Sequence, residues 1–169
     1  MPFCLSMKLP GKTNHELSER FFRYGPLLVW LGVIAWLSSD SGAMSETSRF
    51  VRPVLRFLFP DASEETILTL HGLVRKSAHV FVYSVLAFLA ARAFFRTSVA
   101  GIRRLWPAAA IGLVFAIASL DELNQSFSGG TRTGSIWDVA LDTVSGAAAI
   151  GLIYLLLNRP FIKKLLGTA

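Results

Sequence analysis

The single cysteine, Cys4, leaves no internal disulfide, thiolate metal cluster or CxxC redox motif open to this chain of 169 residues. Charge is scarce as well. Asp, Glu, Lys and Arg make up 17% of the sequence, below the ~25% of ordinary soluble domains. Acids are the scarcer sign, 11 against 17 basic residues. There is no HExxH pair, no GxSxG elbow and no P-loop with its following lysine, so zincin, elbow-serine and nucleotide-phosphate chemistry lack their usual carriers. No inverted repeat is evident, which weighs against a transporter built from paired halves.

What is present is apolar and segregated. The chain is 53% hydrophobic with mean hydropathy +0.51, and its Leu, Ala, Val and Phe are gathered into runs. Four runs have the ~17 to 25 residues that a bilayer core requires of a helix: 21–38, 78–95, 105–122 and 136–157. In the last, Gly146, Ala147, Ala148 and Gly151 offer a small face for close helix contact. The expectation is an all-α polytopic membrane protein, one domain over 1–169, with no room for a second folded unit. The net charge of +6 and pI of about 10.0 do not indicate nucleic acid, because the basic residues flank apolar runs instead of interleaving with aromatics. Cys4 precedes the first span and reads as a bystander.

Lysine and arginine set the orientation. Eleven basic residues fall before span one, between spans two and three, and after span four: Lys8, Lys12, Arg20, Arg23, Arg92, Arg96, Arg103, Arg104, Arg159, Lys163 and Lys164. The other side holds six, Arg49, Arg52, Arg56, Arg75, Lys76 and Arg132, with nine of the acids. Both termini are therefore expected in the cytoplasm, with the 121–142 region facing outward. "SGAMS", with Ser41 and Ala43, also has the small-x-small form a signal peptidase accepts; cleavage there would leave the other spans as assigned.

In the first outer loop, Arg49, Arg52 and Arg56 lie opposite Phe50, Val54 and Leu58. That spacing predicts an amphipathic helix over about 48–59, either in the headgroup plane or covering the bundle. A further helix is expected to start at Asp61, with Glu64 closing a capping box, and to run into span two.

This topology gathers the ionisable residues at one depth. Arg75, His79 and Tyr83 share a face at i, i+4 spacing, with Lys76 beside them. Span three ends on Asp121, Glu122, Asn124 and Gln125, and span four begins with Asp138 and Asp142. Asp138 follows Ser135 by three residues, a capping-box spacing. Asp142 lies about 6 Å deeper, one turn on, where it needs protonation or pairing with His79, Lys76 or Arg132. His79, Asp121, Glu122 and Asp142 are the candidates for acid and base work; Lys76, His79, Tyr83, Gln125, Arg132, Asp138 and Asp142 are the candidate binding residues. Each has a plainer reading: a packing histidine, an interfacial tyrosine, a cap, or polar glue between helices. His79 and the carboxylates include metal-ligand types, but no close double-ligand spacing accompanies them, and no metal or cofactor is assigned.

"RKSAHVFVYSVLAFL", "DELNQSF", "TRTGS", "WDVALDTVSG" and "WLSSDSG" together resemble the motifs of VanZ-like membrane proteins, in order and over about 26–156. The resemblance implies that Lys76, His79, Tyr83, Asp121, Glu122, Gln125, Phe127, Arg132, Asp138, Asp142 and Gly146 occupy the family's characteristic positions. Two departures stand out: Asn124 replaces a frequent histidine, and "SFSGGTR" is one residue longer than usual. The family is named for a protein that lowers susceptibility to teicoplanin, so the resemblance implies an envelope role. The implied partners are membrane lipids and a lipid-linked wall precursor or lipoglycopeptide, with an oligomer a further option and no nucleic acid. The functional expectation is an outward pocket that binds, or acts on, such a lipid. An intramembrane acid/base enzyme, a small proton-linked transporter and a purely structural polar cluster are the alternatives.

Overall fold

The computed structural model describes the backbone of residues 10–39, 44–127, 135–157 and 159–160, and the side chains of 16–39, 48–124, 135–157 and 159–160. Every element among them is helical: α1 (Pro10–Ser38), α2 (Met44–Leu58), α3 (Glu64–Phe95), α4 (Ala100–Arg104), α5 (Trp106–Phe127) and α6 (Ile136–Leu156). Four helices are long and apolar enough to cross a membrane, over Glu16–Ser38, Glu64–Phe95, Trp106–Asn124 and Ile136–Leu156. These agree with the four expected runs to within a residue or two, except that α1 and α3 extend well beyond theirs. The short α4 was not anticipated.

The extra length of α3 comes from its start. Its 32 residues make a rod of ~48 Å at 1.5 Å per residue, against ~30 Å of hydrocarbon. Its N-cap is Ser63, whose Oγ accepts from Thr66 N at 3.2 Å, and not Asp61. Glu64 is taken up elsewhere: Arg52, at 2.5 Å, and Arg56 of α2 both reach its carboxylate. That double ion pair ties α2 to the start of α3. Leu55 is buried, whereas Phe50, Val54, Phe57 and Leu58 of α2 stay exposed. The amphipathic helix therefore docks by its charged side and one leucine, and retains an open apolar face.

α3 is the central helix, packed most extensively on α6 and then on α5, with α5 and α6 also in close contact. Small residues permit the approach. Ala87, Ala90, Ala91 and Ala93 of α3 and Ala110 and Ala118 of α5 are buried, as are Ile150 and Ile153 of α6. At Gly146 a Cβ would stand 2.8 Å from Val114 Cγ1, closer than real Cβ contacts come, so only glycine fits this crossing without a shift. Gly151 has open space around it and plays no such part.

α1 completes the bundle along α3. Leu27 and Ile34 are buried, and three polar contacts add direction: Tyr24 Oη to Thr97 Oγ1 at 2.7 Å, Trp30 Nε1 donating to Val82 O at 3.0 Å, and Arg92 donating to Phe22 O at 3.2 Å. The outer surface is greasy, with Phe21, Leu28, Phe81, Phe115, Val144 and Leu155 among the exposed side chains. In water such a surface would be an aggregation hazard; against acyl chains it is the matching solvent.

Candidate functional site

The polar cluster sits where α5 ends and α6 begins. Asp142 is six residues into α6 and Asp121 six residues before the end of α5, so both lie about 9 Å along their helices from that end. α3 passes them with His79 and Tyr83 one turn apart on one face. Three helices thus bring side chains to one point from positions up to 63 residues apart in sequence.

His79 Nδ1 and Asp142 Oδ2 are 3.2 Å apart. Of the three partners proposed for Asp142, His79 is in contact, and Arg132 lies outside the described residues. Asp142 is 2% exposed, and its Oδ1 is buried without a hydrogen-bond partner among the described residues. Tyr83 is 1% exposed and donates to Asp121 Oδ2 at 3.0 Å. It is a core residue with a polar tip, and the interfacial-belt reading does not apply. The His79 and Tyr83 rings lie nearly parallel, 18° apart in plane with centroids 6.2 Å apart, so the two polar tips are fixed by packing. Ligand-type atoms of His79, Asp121 and Asp142 all lie within 4.8 Å of one another.

Glu122 has a different job. Its Oε1 accepts the backbone N–H of Ser135, the N-cap residue of α6. Ser135 Oγ in turn accepts from Trp137 N at 3.3 Å. The capping box expected from Ser135 and Asp138 is therefore closed by an acid from the neighbouring helix, and Asp138 is a half-buried first-turn residue. The physical logic is that of a local box, an orphan N–H satisfied by a carboxylate. Here it also pins α5 to α6.

The remaining candidates divide. Lys76 is exposed and takes part in none of the described contacts of the cluster. Arg75 is half-buried, one turn before His79 on α3. The side chains of Gln125 and Phe127, all of Arg132, and Cys4, Lys8, Ser41, Ala43, Lys163 and Lys164 lie outside the described residues. Asn124, the departure from the family's frequent histidine, donates to Ser38 O and Ser38 Oγ, both at 3.3 Å. It joins α5 to the end of α1.

That junction borders a groove of about 380 Å³ between α1 and α5, lined by Leu31, Ile34, Ala35, Ser38, Ile117, Leu120, Asp121 and Asn124. Its size is within the ~300–1,000 Å³ range of small-molecule clefts. The lining is apolar along its length and ends on Asp121, a member of the polar cluster. The α1 side was missed from sequence, although Leu27, Leu31, Ile34 and Ser38 follow the 4, 3, 4 spacing of one helix face. Chemically, the arrangement can move a proton between imidazole and carboxylate, accept donors at two aspartates, and offer apolar contact to a chain lying in the groove.

Comparisons with curated proteins and with solved structures return no significant match. A family model described as VanZ/LLP1 matches residues 24–158, which takes in the end of α1, the whole polar cluster and the close crossing at Gly146. The protein is a member of the VanZ/LLP1 family, built as a helical membrane bundle.

Proposed function

We propose that this protein binds a lipid or lipid-linked component of the cell envelope, with an acyl chain in the α1–α5 groove and the headgroup at His79, Asp121 and Asp142. The observation that carries the reading is that Asp121 belongs both to the groove and to the polar cluster. One ligand with an apolar tail and a polar head would satisfy both. Buried charge in a membrane span is costly and marks function more often than stability. The distribution of basic residues supports an outward orientation, on the side of the membrane where teicoplanin and its lipid-linked target meet. Glu122 acts as the cap of α6, and Arg132 and Lys76 remain the sequence's candidates for holding an anionic headgroup.

The test begins with lipid extracted from the purified full-length chain and identified by mass spectrometry. Ala35→Phe, which adds bulk to the α1 wall of the groove, should lower the co-purifying lipid several-fold, and Asp121→Asn should change which headgroups remain. In a susceptible Gram-positive host, wild type should lower surface binding of labelled teicoplanin, and Asp121→Asn at matched membrane abundance should not. Unchanged lipid content in Ala35→Phe, together with teicoplanin binding equal to empty vector, would remove the proposal.

A further inference from the structure

We infer that His79, Asp121 and Asp142 form the binding site of one divalent transition cation of the zinc or manganese type. The inference rests on the headgroup-centre reading above and deepens it by naming what the centre holds. One donor comes from each of three helices, and all lie within 4.8 Å of one another. Imidazole nitrogen with carboxylate oxygen suits zinc and manganese, and the donor set contains no thiolate.

The geometry of the closest pair fits a cation. Two ligand atoms each ~2.0–2.1 Å from a tetrahedral ion stand about 3.3 Å apart. His79 Nδ1 and Asp142 Oδ2 are 3.2 Å apart, the long limit of an ordinary hydrogen bond and close to the edge of such a tetrahedron. The pair can receive an ion with little movement.

A second and independent observation is the unpartnered oxygen. Asp142 is 2% exposed, so its Oδ1 has lost water without gaining a hydrogen bond among the described residues. An orphan acceptor on a buried carboxylate is among the more expensive features a fold can carry. A cation held between His79 and Asp142 would give that oxygen a partner.

The surroundings serve a ligand set. Tyr83, fixed by burial, donates to Asp121 Oδ2 at 3.0 Å and so holds that carboxylate in one orientation. Such contacts from behind a ligand set its direction and its basicity. Glu122, the nearest further acid on α5, is held on Ser135 N–H and stands apart from the donor set. Three protein ligands leave at least one coordination position open, as in catalytic zinc sites. Asp121 is also part of the groove lining, so the open position is accessible to a headgroup oxygen, with phosphate the class that a divalent ion favours.

The experiment uses the full chain in detergent, stripped with chelator and then exposed separately to Zn²⁺, Mn²⁺ and Co²⁺. Bound metal is counted by mass spectrometry, and Co²⁺ is also read by its visible absorption. Wild type and Glu122→Gln should each retain about one equivalent of the preferred ion, with a cobalt spectrum of nitrogen and oxygen ligation. Asp142→Asn and His79→Gln should retain none. If either fails to fold, judged by gel filtration and melting, Tyr83→Phe keeps every ligand and should weaken binding about 10–100-fold. Retention that is equal in wild type and all variants, or absent from folded wild type for all three ions, overturns the site. Co-purifying lipid is measured on the same samples. Metal held without lipid keeps the cation site and removes the lipid reading, and lipid held without metal does the reverse.

Discussion

The two ends of the α3–α5–α6 contact solve the same problem with opposite materials. Toward the α4 end, the helices meet through alanines and the Gly146–Val114 crossing, with Trp106 packed edge-on against Phe95 at 5.6 Å. Toward the α5–α6 junction, the same helices meet through His79, Tyr83, Asp121, Glu122 and Asp142. In lipid, apolar side chains gain little by leaving acyl chains for one another, so close backbone approach and dispersion hold helices together. The alanine end is of that kind. The polar end adds ionisable groups that close approach does not require, and Asp142 Oδ1 has no partner there among the described residues.

That comparison is broken most severely by replacing the charges with grease. The double variant His79→Leu, Asp142→Leu should lose ligand retention altogether while its melting temperature holds or rises, because well-packed apolar replacements of a buried ion pair are often neutral or stabilising by ~1–4 kcal/mol. A large fall in melting temperature at unchanged ligand retention would show that the polar end is structural after all. The reciprocal disruption is Gly146→Leu, which overpacks the alanine end and should cost roughly 1–3 kcal/mol or more. Gly146→Ala sharpens the point: the helix gains up to ~1 kcal/mol from losing a glycine, yet the new methyl meets Val114. Adding Val114→Ala should restore stability, and a double-mutant cycle in which the two changes simply add would refute the contact.

The smallest effect concerns the tertiary cap. Glu122→Ala leaves Ser135 N–H without its acceptor and should cost about 1 kcal/mol, whereas Glu122→Gln keeps an acceptor and should stay within roughly half of that. Hydrogen exchange at the first turn of α6 reads the difference directly. Equal protection in both variants would mean that the Glu122 contact does not hold the cap.

Much of this was legible in the linear chain because the bilayer imposes simple demands. Four helices could be read from run length alone, since every backbone polar group in hydrocarbon must be satisfied within its own segment. The depth shared by His79, Asp121 and Asp142 followed from alternating direction through the membrane. The pairing of Asp142 was narrowed to three partners and no further, because rotation of a helix about its axis leaves run length unchanged. Asp61 was expected to cap the helix on the strength of a box with Glu64, whereas the cap is Ser63. Two arginines of α2 claim that carboxylate, and no local pattern records them.

The sequence by itself determined the four long apolar helices, the family motifs and the end of the bundle that carries charge. These depend on composition along one segment at a time. Only the tertiary structure decided that Asp121 faces both Tyr83 and a groove, that Glu122 caps a neighbouring helix, and that His79, Asp121 and Asp142 bring their polar atoms within 4.8 Å of one another. Each of those depends on the relative rotation and spacing of helices, fixed here by side chains as small as Gly146 and the alanines of α3, whose effect is the closeness they allow.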